Sequence, residues 1–477
     1  MHLLDLGIFL AYMLAMLGVG VYFMKKNSSQ EDFYVGGRSI GSLHIGLSVV
    51  ATDVGGGFSI GLGGLGFAMG ISGSWMLFTG LLGAWLAAVL LIPKVKSNPS
   101  FSRFFTFPQI IGYLFNQKAA KIAALICFIG YLGFTSSQLL AGAKLASGTF
   151  EALDLHTALL IMGVIAVVYT VLGGLKAVIY TDTVQWIILM LGLMLIGIPV
   201  AYSYVGGWDG ITRTLPEEFF SLSNLTWQDL VNWGVTIIPI WFVGMTLYQR
   251  IFAARDEKSA KRAWFIAGVF EWPIMAFLGV SLGLLSRVAV EQGALEGFTT
   301  TMDPEMGLPV MLSQILPVGI LGLMMSAYFS AVLSTADSCL MAASGNLTTD
   351  LLSNQLKGSP MHQEVRISQL LTLAIGIIAV LIAWQMTEVL SLMLYSYAFM
   401  VSGLLVPVVA GLFFNKRNPT AAIFSMIIGG SLTAGLTLLE ADLPFGLDAN
   451  LFGIAGSAVS YLLVYNFRRK ENKTTTI

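Results

Sequence analysis

The chain has 477 residues, of which 56% are hydrophobic and 11% are charged, with 25 basic and 26 acidic side chains. This composition excludes a soluble globular protein. The net charge of −1 says nothing about partners, and because no basic run is present we expect no nucleic-acid partner. Apolar runs long enough to cross a lipid bilayer predict thirteen helical spans, at residues 3–24, 42–69, 73–95, 120–148, 155–172, 177–203, 229–252, 261–287, 317–350, 368–386, 390–414, 418–438 and 450–467. We therefore expect one all-α integral membrane domain over residues 1–477.

The basic residues predict how these spans are oriented. All but three of the 25 lysines and arginines fall on one side of the bundle, the exceptions being Lys144, Arg213 and Arg287. Because positive residues mark the cytoplasmic side, the N-terminus is predicted outside and the C-terminus inside. We expect a multi-pass protein of the cell membrane, specifically the bacterial inner membrane.

Two predicted spans contain helix-breaking residues. Span 42–69 carries Asp53 followed by glycines at 55–57, and span 229–252, five spans later, carries Pro239 and Gly244. Broken helices in corresponding positions of two halves are typical of a transporter binding site, where freed carbonyls coordinate a cation. The alternative is that the glycines only permit close helix packing.

A polar helical face interrupts the apolar span 317–350. Ala331, Ser334, Thr335 and Ser338 follow the i, i+3, i+4, i+7 pattern of one helical face, and Asp337 lies beside them. Oxygen ligands without thiols or imidazoles suit a hard cation. Serine and threonine also join membrane helices by hydrogen bonds, so the hydroxyls alone leave a structural role open.

Carboxylates predicted inside the spans indicate a cation or proton pathway. Asp53, Asp182, Glu271 and Asp337 all lie well inside predicted spans, and the sequence predicts no interior lysine or arginine to pair with them. Such groups must protonate, meet a cation or face water. For Glu271, beside Trp272 and Pro273, protonation and bonding to a freed backbone carbonyl is an equal alternative.

Enzyme chemistry has no support in the sequence. Residues 61–66 satisfy GxGxxG, but no strand precedes them, so helix packing explains these glycines. The sequence contains no HExxH motif, P-loop or cysteine–histidine metal cluster. We predict that the protein is not an enzyme and has no organic cofactor.

Several motifs together suggest a family. They are Glu31-Asp-Phe33-Tyr-Val-Gly36-Gly37-Arg38, Ala51-Thr-Asp53-Val54-Gly-Gly, Tyr169-Thr-Val-Leu-Gly173-Gly174-Leu-Lys-Ala177, Tyr180-Thr-Asp182-Thr183-Val-Gln185, Tyr248-Gln-Arg250 and Ala331-Val-Leu-Ser334-Thr335. Over residues 31–415 the chain resembles the sodium:solute symporter family, which includes bacterial proline, pantothenate, sialic acid and sugar transporters and animal sodium–glucose carriers. The resemblance implies the inverted five-plus-five repeat of the leucine-transporter fold. The repeats would be residues 42–203 and 229–414, with helix 3–24 before them and two helices in 418–467 after them.

The resemblance also implies which residues hold sodium. The main site would use main-chain oxygens of Ala51, Val54 and Ala331 and the hydroxyls of Ser334 and Thr335. A second site, found in some members, would use Asp182 and Ser338 with Ser334 and Asp337. Some members have serine where this chain has Asp337, so this site is predicted to bind sodium, to bind a proton or to be altered. The alternative is that Asp182 caps or bonds a neighbouring helix while Asp337 stays protonated.

The implied solute pocket lies between the broken helices. Its predicted lining consists of Thr52, Asp53, Phe58, Gln138, Trp241 and Tyr395. Sugar transporters have glutamine at the position of Phe58, which disfavours sugar. A predicted absence of interior arginine disfavours a large acidic sugar. A small neutral, zwitterionic or monocarboxylate solute fits best.

The predicted function is secondary active, sodium-coupled import of a small organic solute by alternating access, with sodium as the co-transported ion. We expect the protein to act as a monomer. A proton-coupled symporter of the same fold is the alternative. An ion channel is disfavoured because no repeated filter or pore-lining ring appears, and a sensor is disfavoured because only about ten polar residues follow the last span.

Overall fold

The computed structural model describes residues 2–26, 35–150, 153–173, 175–352 and 361–474, and helices dominate these ranges. Positions 31–34 of the first family motif and Gly174 of the third lie outside the described residues. The α-helices are α1 (Leu3–Lys26), α2 (Ser42–Met69), α3 (Trp75–Leu86), α4 (Ile92–Lys96), α5 (Phe107–Leu114), α6 (Gln117–Thr149), α7 (Leu155–Gly173), α8 (Leu175–Gly192), α9 (Ile198–Tyr204), α10 (Gly207–Thr214), α11 (Trp227–Val243), α12 (Met245–Ala253), α13 (Glu257–Val269), α14 (Ala276–Glu291), α15 (Pro304–Ile315), α16 (Ile320–Gly345), α17 (Met361–Gln385), α18 (Val389–Val408), α19 (Pro419–Leu438) and α20 (Ala449–Thr474).

Short π-helical turns extend or join several of these helices. They are Ala87–Leu91, Leu193–Gly197, Phe270–Met275, Asn346–Leu351 and Val409–Phe413. Each predicted span overlaps a helix or a joined pair. Among the described residues, eight helices are long and apolar enough to cross a membrane, or nine when the bent pair α11–α12 counts as one span.

Both predicted helix breaks are present. Gly55 interrupts α2 with φ 42° and ψ −171°, a conformation open essentially only to glycine. Gly244 is extended and separates α11 from α12, whose axes differ by 43°. A bridge between Ile40 and Ala254 ties the segment before α2 to the end of α12. The two broken helices are therefore linked directly.

Helix α16 is the buried centre of the fold. Its residues are buried almost throughout, and it packs against α1, α2, α6 and α8. A helix that is apolar on all sides belongs inside a bundle. Its Ser, Thr and Asp side chains consequently face other helices.

A buried ion cluster joins α6, the segment that begins α15 and the start of α18. Lys144 contacts the carboxylates of Asp303 and Glu305, with the Lys144 nitrogen 2.6 Å from Glu305 Oε2. Glu305 also accepts the backbone N–H groups of Val389 and Leu390 at 2.9 Å. Lys144 is 1% exposed, and its partners are Asp303 and Glu305 rather than any of the four carboxylates predicted inside spans.

Candidate cation and solute site

The break at Gly55 brings α2 against α6 and α16. A Cβ added to Gly55 would lie 2.5 Å from Thr335 Oγ1 and 3.3 Å from Gln138 Oε1. Only a residue without a side chain permits this approach. The break thus places polar atoms of three helices at one point.

The second break, at Gly244, contacts α6 about two helical turns from Gln138. The Tyr131 hydroxyl lies 3.1 Å from Thr246 Oγ1 and accepts the Thr246 N–H at 3.1 Å. A Cβ on Gly244 would lie 3.4 Å from the same hydroxyl. Because Gln138 and Tyr131 are seven residues apart on α6, both breaks face one side of this helix.

Three of the predicted main-site oxygens converge at the first break. Thr335 Oγ1 donates to the Ala51 carbonyl at 2.9 Å and to the Ala331 carbonyl at 3.2 Å. Thr335 is fully buried. Carbonyls and hydroxyls at a broken helix are the ligands that sodium transporters use.

The other two predicted main-site residues are placed differently. The Ser334 hydroxyl donates to Asp182 Oδ1. Val54 lies in a part of the break where side chains fall outside the described residues, and so does Phe58 of the predicted pocket.

Arg250 contacts Asp182 and Ser338, two of the residues predicted to hold a second sodium ion. Its Nη2 donates to Ser338 Oγ at 3.0 Å and to Thr52 Oγ1 at 2.6 Å. The same Nη2 lies 3.8 Å from Asp182 Oδ2, a buried ion pair. Arg250 is fully buried, so the prediction of no interior arginine is wrong, and the argument against a large acidic sugar loses its premise.

Ser48 completes the environment of this guanidinium. Ser48 Oγ accepts from Arg250 Nε at 3.2 Å and donates to Asp182 Oδ2 at 2.6 Å. Asp337 instead accepts a hydrogen bond from Thr170, while its Oδ2 has no partner among the described residues. Of the four predicted ligands of the second site, Asp182 and Ser338 contact Arg250, Ser334 donates to Asp182, and Asp337 contacts Thr170.

Asp53 faces a tyrosine that the sequence analysis missed. Tyr397 donates to Asp53 Oδ1 at 3.0 Å, and both side chains are buried. Tyr395, the predicted pocket residue, is 50% exposed. Residues two apart on a helix point in nearly opposite directions, so the structure does not bring Tyr395 to Asp53.

The other predicted pocket residues are buried but face different partners. Gln138 reaches the first break, whereas Thr52 is bonded to Arg250. Trp241 packs its indole edge against Gly83 and contacts the Trp264 ring edge-on, at 6.3 Å between centroids. Trp241 Nε1 has no hydrogen-bond partner in the described part of the chain.

The signal for Arg250 was present in the sequence. Arg250 follows the break at Gly244 by six residues, which is less than two helical turns. The sequence therefore places Arg250 close to a predicted break. The prediction counted Arg250 with the basic residues at the end of span 229–252, although it lies inside that span.

The described residues contain no cluster of three or more His, Cys, Asp or Glu side chains suited to a metal ion. The polar groups found here, which are neutral oxygens, a paired guanidinium and buried carboxyls, are suited to binding small ions and solutes.

Comparisons with known proteins agree with this geometry. Residues 33–429 match the sodium:solute symporter family. The osmoregulated proline transporter OpuE of Bacillus subtilis is 30% identical over 91% of this chain and 89% of its own length. The sodium/pantothenate symporter of Escherichia coli is 26% identical over 90% of each chain.

Solved structures share the fold. A sodium-coupled sialic acid symporter in a substrate-bound, outward-open state aligns over 98% of both chains, with a TM-score of 0.79 and 22% identity. Mhp1, a nucleobase-cation-symport transporter, aligns over 92% of this chain with a TM-score of 0.58. These neighbours have the leucine-transporter fold. The match over most of its length shows that this chain belongs to the sodium:solute symporter family and is a sodium-coupled transporter, not an enzyme.

Proposed function

We propose that the protein imports a small organic solute together with one sodium ion, which binds where α2 is broken against α16. The ligands are the main-chain oxygens of Ala51, Val54 and Ala331 and the Thr335 hydroxyl. Ser334 is a weaker ligand, because its hydroxyl also donates a hydrogen bond to Asp182. The observation that carries this proposal is the position of Thr335 Oγ1, between the carbonyls of Ala51 and Ala331.

The proposed stoichiometry of one sodium ion per transport cycle is based on the position of the Arg250 guanidinium. Of the four residues predicted to hold a second sodium ion, Asp182 and Ser338 contact this guanidinium. A second cation at the same point would meet a like charge in a low-dielectric interior, where repulsion is strong. Arg250 therefore replaces the second ion, and sodium binding has a Hill coefficient of one.

We also propose the membrane topology that the sequence predicts. The chain has thirteen spans with the N-terminus outside and the C-terminus inside, and its inverted repeats are residues 42–203 and 229–414. It acts as a monomer in the bacterial inner membrane. The solutes named for relatives include proline, pantothenate and glucose. A small zwitterionic solute fits the buried carboxyls better than a sugar does.

Sodium titration of the purified protein tests the ligand set. An ion that binds only the folded state raises the unfolding temperature according to its concentration and affinity. We expect sodium chloride to raise it above that in potassium chloride of equal ionic strength. Thr335→Ala should weaken the apparent sodium affinity at least tenfold, and Ser334→Ala less.

The matched control is Thr372→Ala, since Thr372 is a buried threonine of α17 whose hydroxyl donates only to its own helix, at 2.8 Å. Its sodium affinity should equal that of the wild type. Unchanged affinity in both Thr335→Ala and Ser334→Ala would overturn the proposed ligands.

A further inference from the structure

The segment of residues 104–107, which leads into α5 on the predicted cytoplasmic side, is packed among helices. Thr106 is 1% exposed and Phe107 is fully buried. Connecting segments normally run over a protein surface, because a buried one must find partners for its backbone polar groups. The partners of this segment identify the helices that it joins.

The segment contacts the elements that carry both helix breaks. Arg38, on the turn before α2, donates from Nη2 to the Phe104 carbonyl at 2.9 Å. The Phe107 ring packs against the Tyr248 ring of α12, at 4.8 Å between centroids, and the Phe107 N–H donates to Met245 Sδ at 3.2 Å. One short segment therefore touches the start of α2 and the inner part of the second broken helix.

The third contact of the segment is a buried hydrogen bond to the end of the α16 span. Thr106 Oγ1 donates to Oδ1 of Asp350 at 2.9 Å, and Asp350 lies on the π turn that continues α16. Asp350 is 3% exposed, and its carboxyl also interacts with the side chains of Thr349 and Gln109. None of the described ion pairs involves Asp350. Breaking a hydrogen bond to a neutral donor costs less than breaking a buried ion pair, which suits a contact that opens in every transport cycle.

We propose that residues 104–107 form the cytoplasmic gate of the transporter and that the hydrogen bond between Thr106 and Asp350 is its latch. Alternating access requires the helices around a fixed site to separate on one side at a time. The gate segment holds α2, α12 and α16 together on the inner side. This inference rests on the proposed function, because the membrane orientation and the sodium site are taken from it.

Sodium binding and gate closure should reinforce each other. A sodium ion at the α2 break would hold α2 and α16 together through the Ala51 and Thr335 oxygens. The closed gate joins the same two helices through Arg38 and Asp350. Interactions that favour one arrangement are coupled, and the coupling is reciprocal. Sodium should therefore favour the closed gate.

Cys127 is a natural reporter of this region. It lies on α6, is fully buried and is close enough to Asp350 and Tyr248 to interact electrostatically with both. The chain has two cysteines, so Cys339→Ser leaves Cys127 as the single thiol. A buried thiol reacts when its surroundings open, so its rate of alkylation by N-ethylmaleimide measures how often this region opens.

The test uses purified Cys339→Ser protein in potassium chloride or in sodium chloride of equal ionic strength. Thr106→Val replaces the latch hydroxyl with a methyl group and should speed alkylation of Cys127 about fivefold in potassium, the factor expected for one lost hydrogen bond. Sodium should slow alkylation in the parent protein. Alkylation that sodium does not slow, although sodium raises the unfolding temperature, would overturn the proposed gate and leave the sodium site standing.

The matched control is Thr348→Val. Thr348 is a buried threonine of the same π turn, and its hydroxyl donates to the carbonyls of Ser344 and Gly345 in its own helix. Its alkylation rate should equal that of the parent. An unchanged rate in Thr106→Val, or an equal acceleration in both variants, would overturn the latch.

Membrane vesicles of defined orientation test which side the gate serves. The membrane-impermeant reagent sulfonatoethyl methanethiosulfonate should modify Cys127 of the Thr106→Val variant in inside-out vesicles and leave it unmodified in right-side-out vesicles. Modification in right-side-out vesicles alone would contradict a cytoplasmic gate.

A measurement on the wild type covers variants that do not fold. Hydrogen–deuterium exchange with mass spectrometry follows the opening of a peptide that spans residues 104–114. We expect sodium to slow exchange in this peptide and to leave the external peptide 207–214 unchanged. Equal exchange of residues 104–114 in sodium and potassium would overturn the coupling between gate and site. The sodium titration of Thr335→Ala succeeds or fails independently of these rates.

Discussion

Two neighbouring regions of α16 present different environments to a cation. Around Thr335, three neutral oxygens of α2 and α16 converge, and none of the described hydrogen bonds or ion pairs joins them to a charged group. One turn further, Ser338 and the facing Asp182 surround the guanidinium of Arg250. In the proposed function the first region binds an ion from solution, whereas the second contains the guanidinium of the chain itself. Matching ligand residues therefore do not by themselves predict the number of sodium ions.

Removing the Arg250 charge should have the largest effect. Breaking a buried ion pair by deleting one partner costs about 3–5 kcal/mol, because the other charge stays buried and unpaired. We expect Arg250→Gln to lower the stability of the purified protein by that order. The double variant Arg250→Gln with Asp182→Asn should recover much of the loss.

The double-mutant cycle, measured as unfolding temperatures, isolates the pair. Simple addition of the two single effects would mean that Arg250 and Asp182 do not act together. Arg250→Gln that folds normally and binds sodium with a Hill coefficient above one would show that the guanidinium had been excluding an ion.

Gly55→Ala should have an intermediate effect, confined to the first region. Strain at this backbone conformation is about 1–3 kcal/mol for a residue with a side chain, and the new Cβ would lie 2.5 Å from Thr335 Oγ1. We expect sodium affinity to fall at least tenfold in the thermal titration. Gly435→Ala is the control, since nothing lies within 4 Å of its added Cβ. Equal effects of the two changes would argue against a sodium role for the break.

Tyr397→Phe should have the smallest effect. It removes one hydrogen bond to Asp53, worth about 1.5–3 kcal/mol when the acceptor is charged and less when it is neutral. The unfolding temperature of the purified protein should fall, while sodium affinity stays within about twofold. Tyr395→Phe should change neither quantity, because that side chain is half exposed. A larger effect of Tyr395→Phe would restore the original pocket prediction.

The sequence predicted the membrane class, the helices and both breaks, because apolar length and glycine or proline act locally. Span 155–172 corresponds to α7 (Leu155–Gly173), for example. The hydroxyl face of α16 was also readable, since helical spacing alone places Ser334 and Ser338 together.

Side-chain partners were not readable in the same way. The ion pair of Arg250 with Asp182 joins residues 68 positions apart, and Tyr397 meets Asp53 across 344 positions. Such contacts depend on how the bundle packs. Tyr395 and Tyr397 differ by two positions, and only the helix rotation decides which one faces the site.

Coupling to sodium is tested most directly in proteoliposomes that contain the purified protein. A solute that raises its unfolding temperature in sodium is supplied outside, under an inward sodium gradient or under an inward proton gradient without sodium. One positive charge that enters gains about 2.3 kcal/mol per 100 mV, so an inside-negative potential should increase uptake further. We predict accumulation with the sodium gradient that is absent in Thr335→Ala and with protons alone. Equal accumulation driven by the proton gradient without sodium would contradict a sodium site at the α2 break.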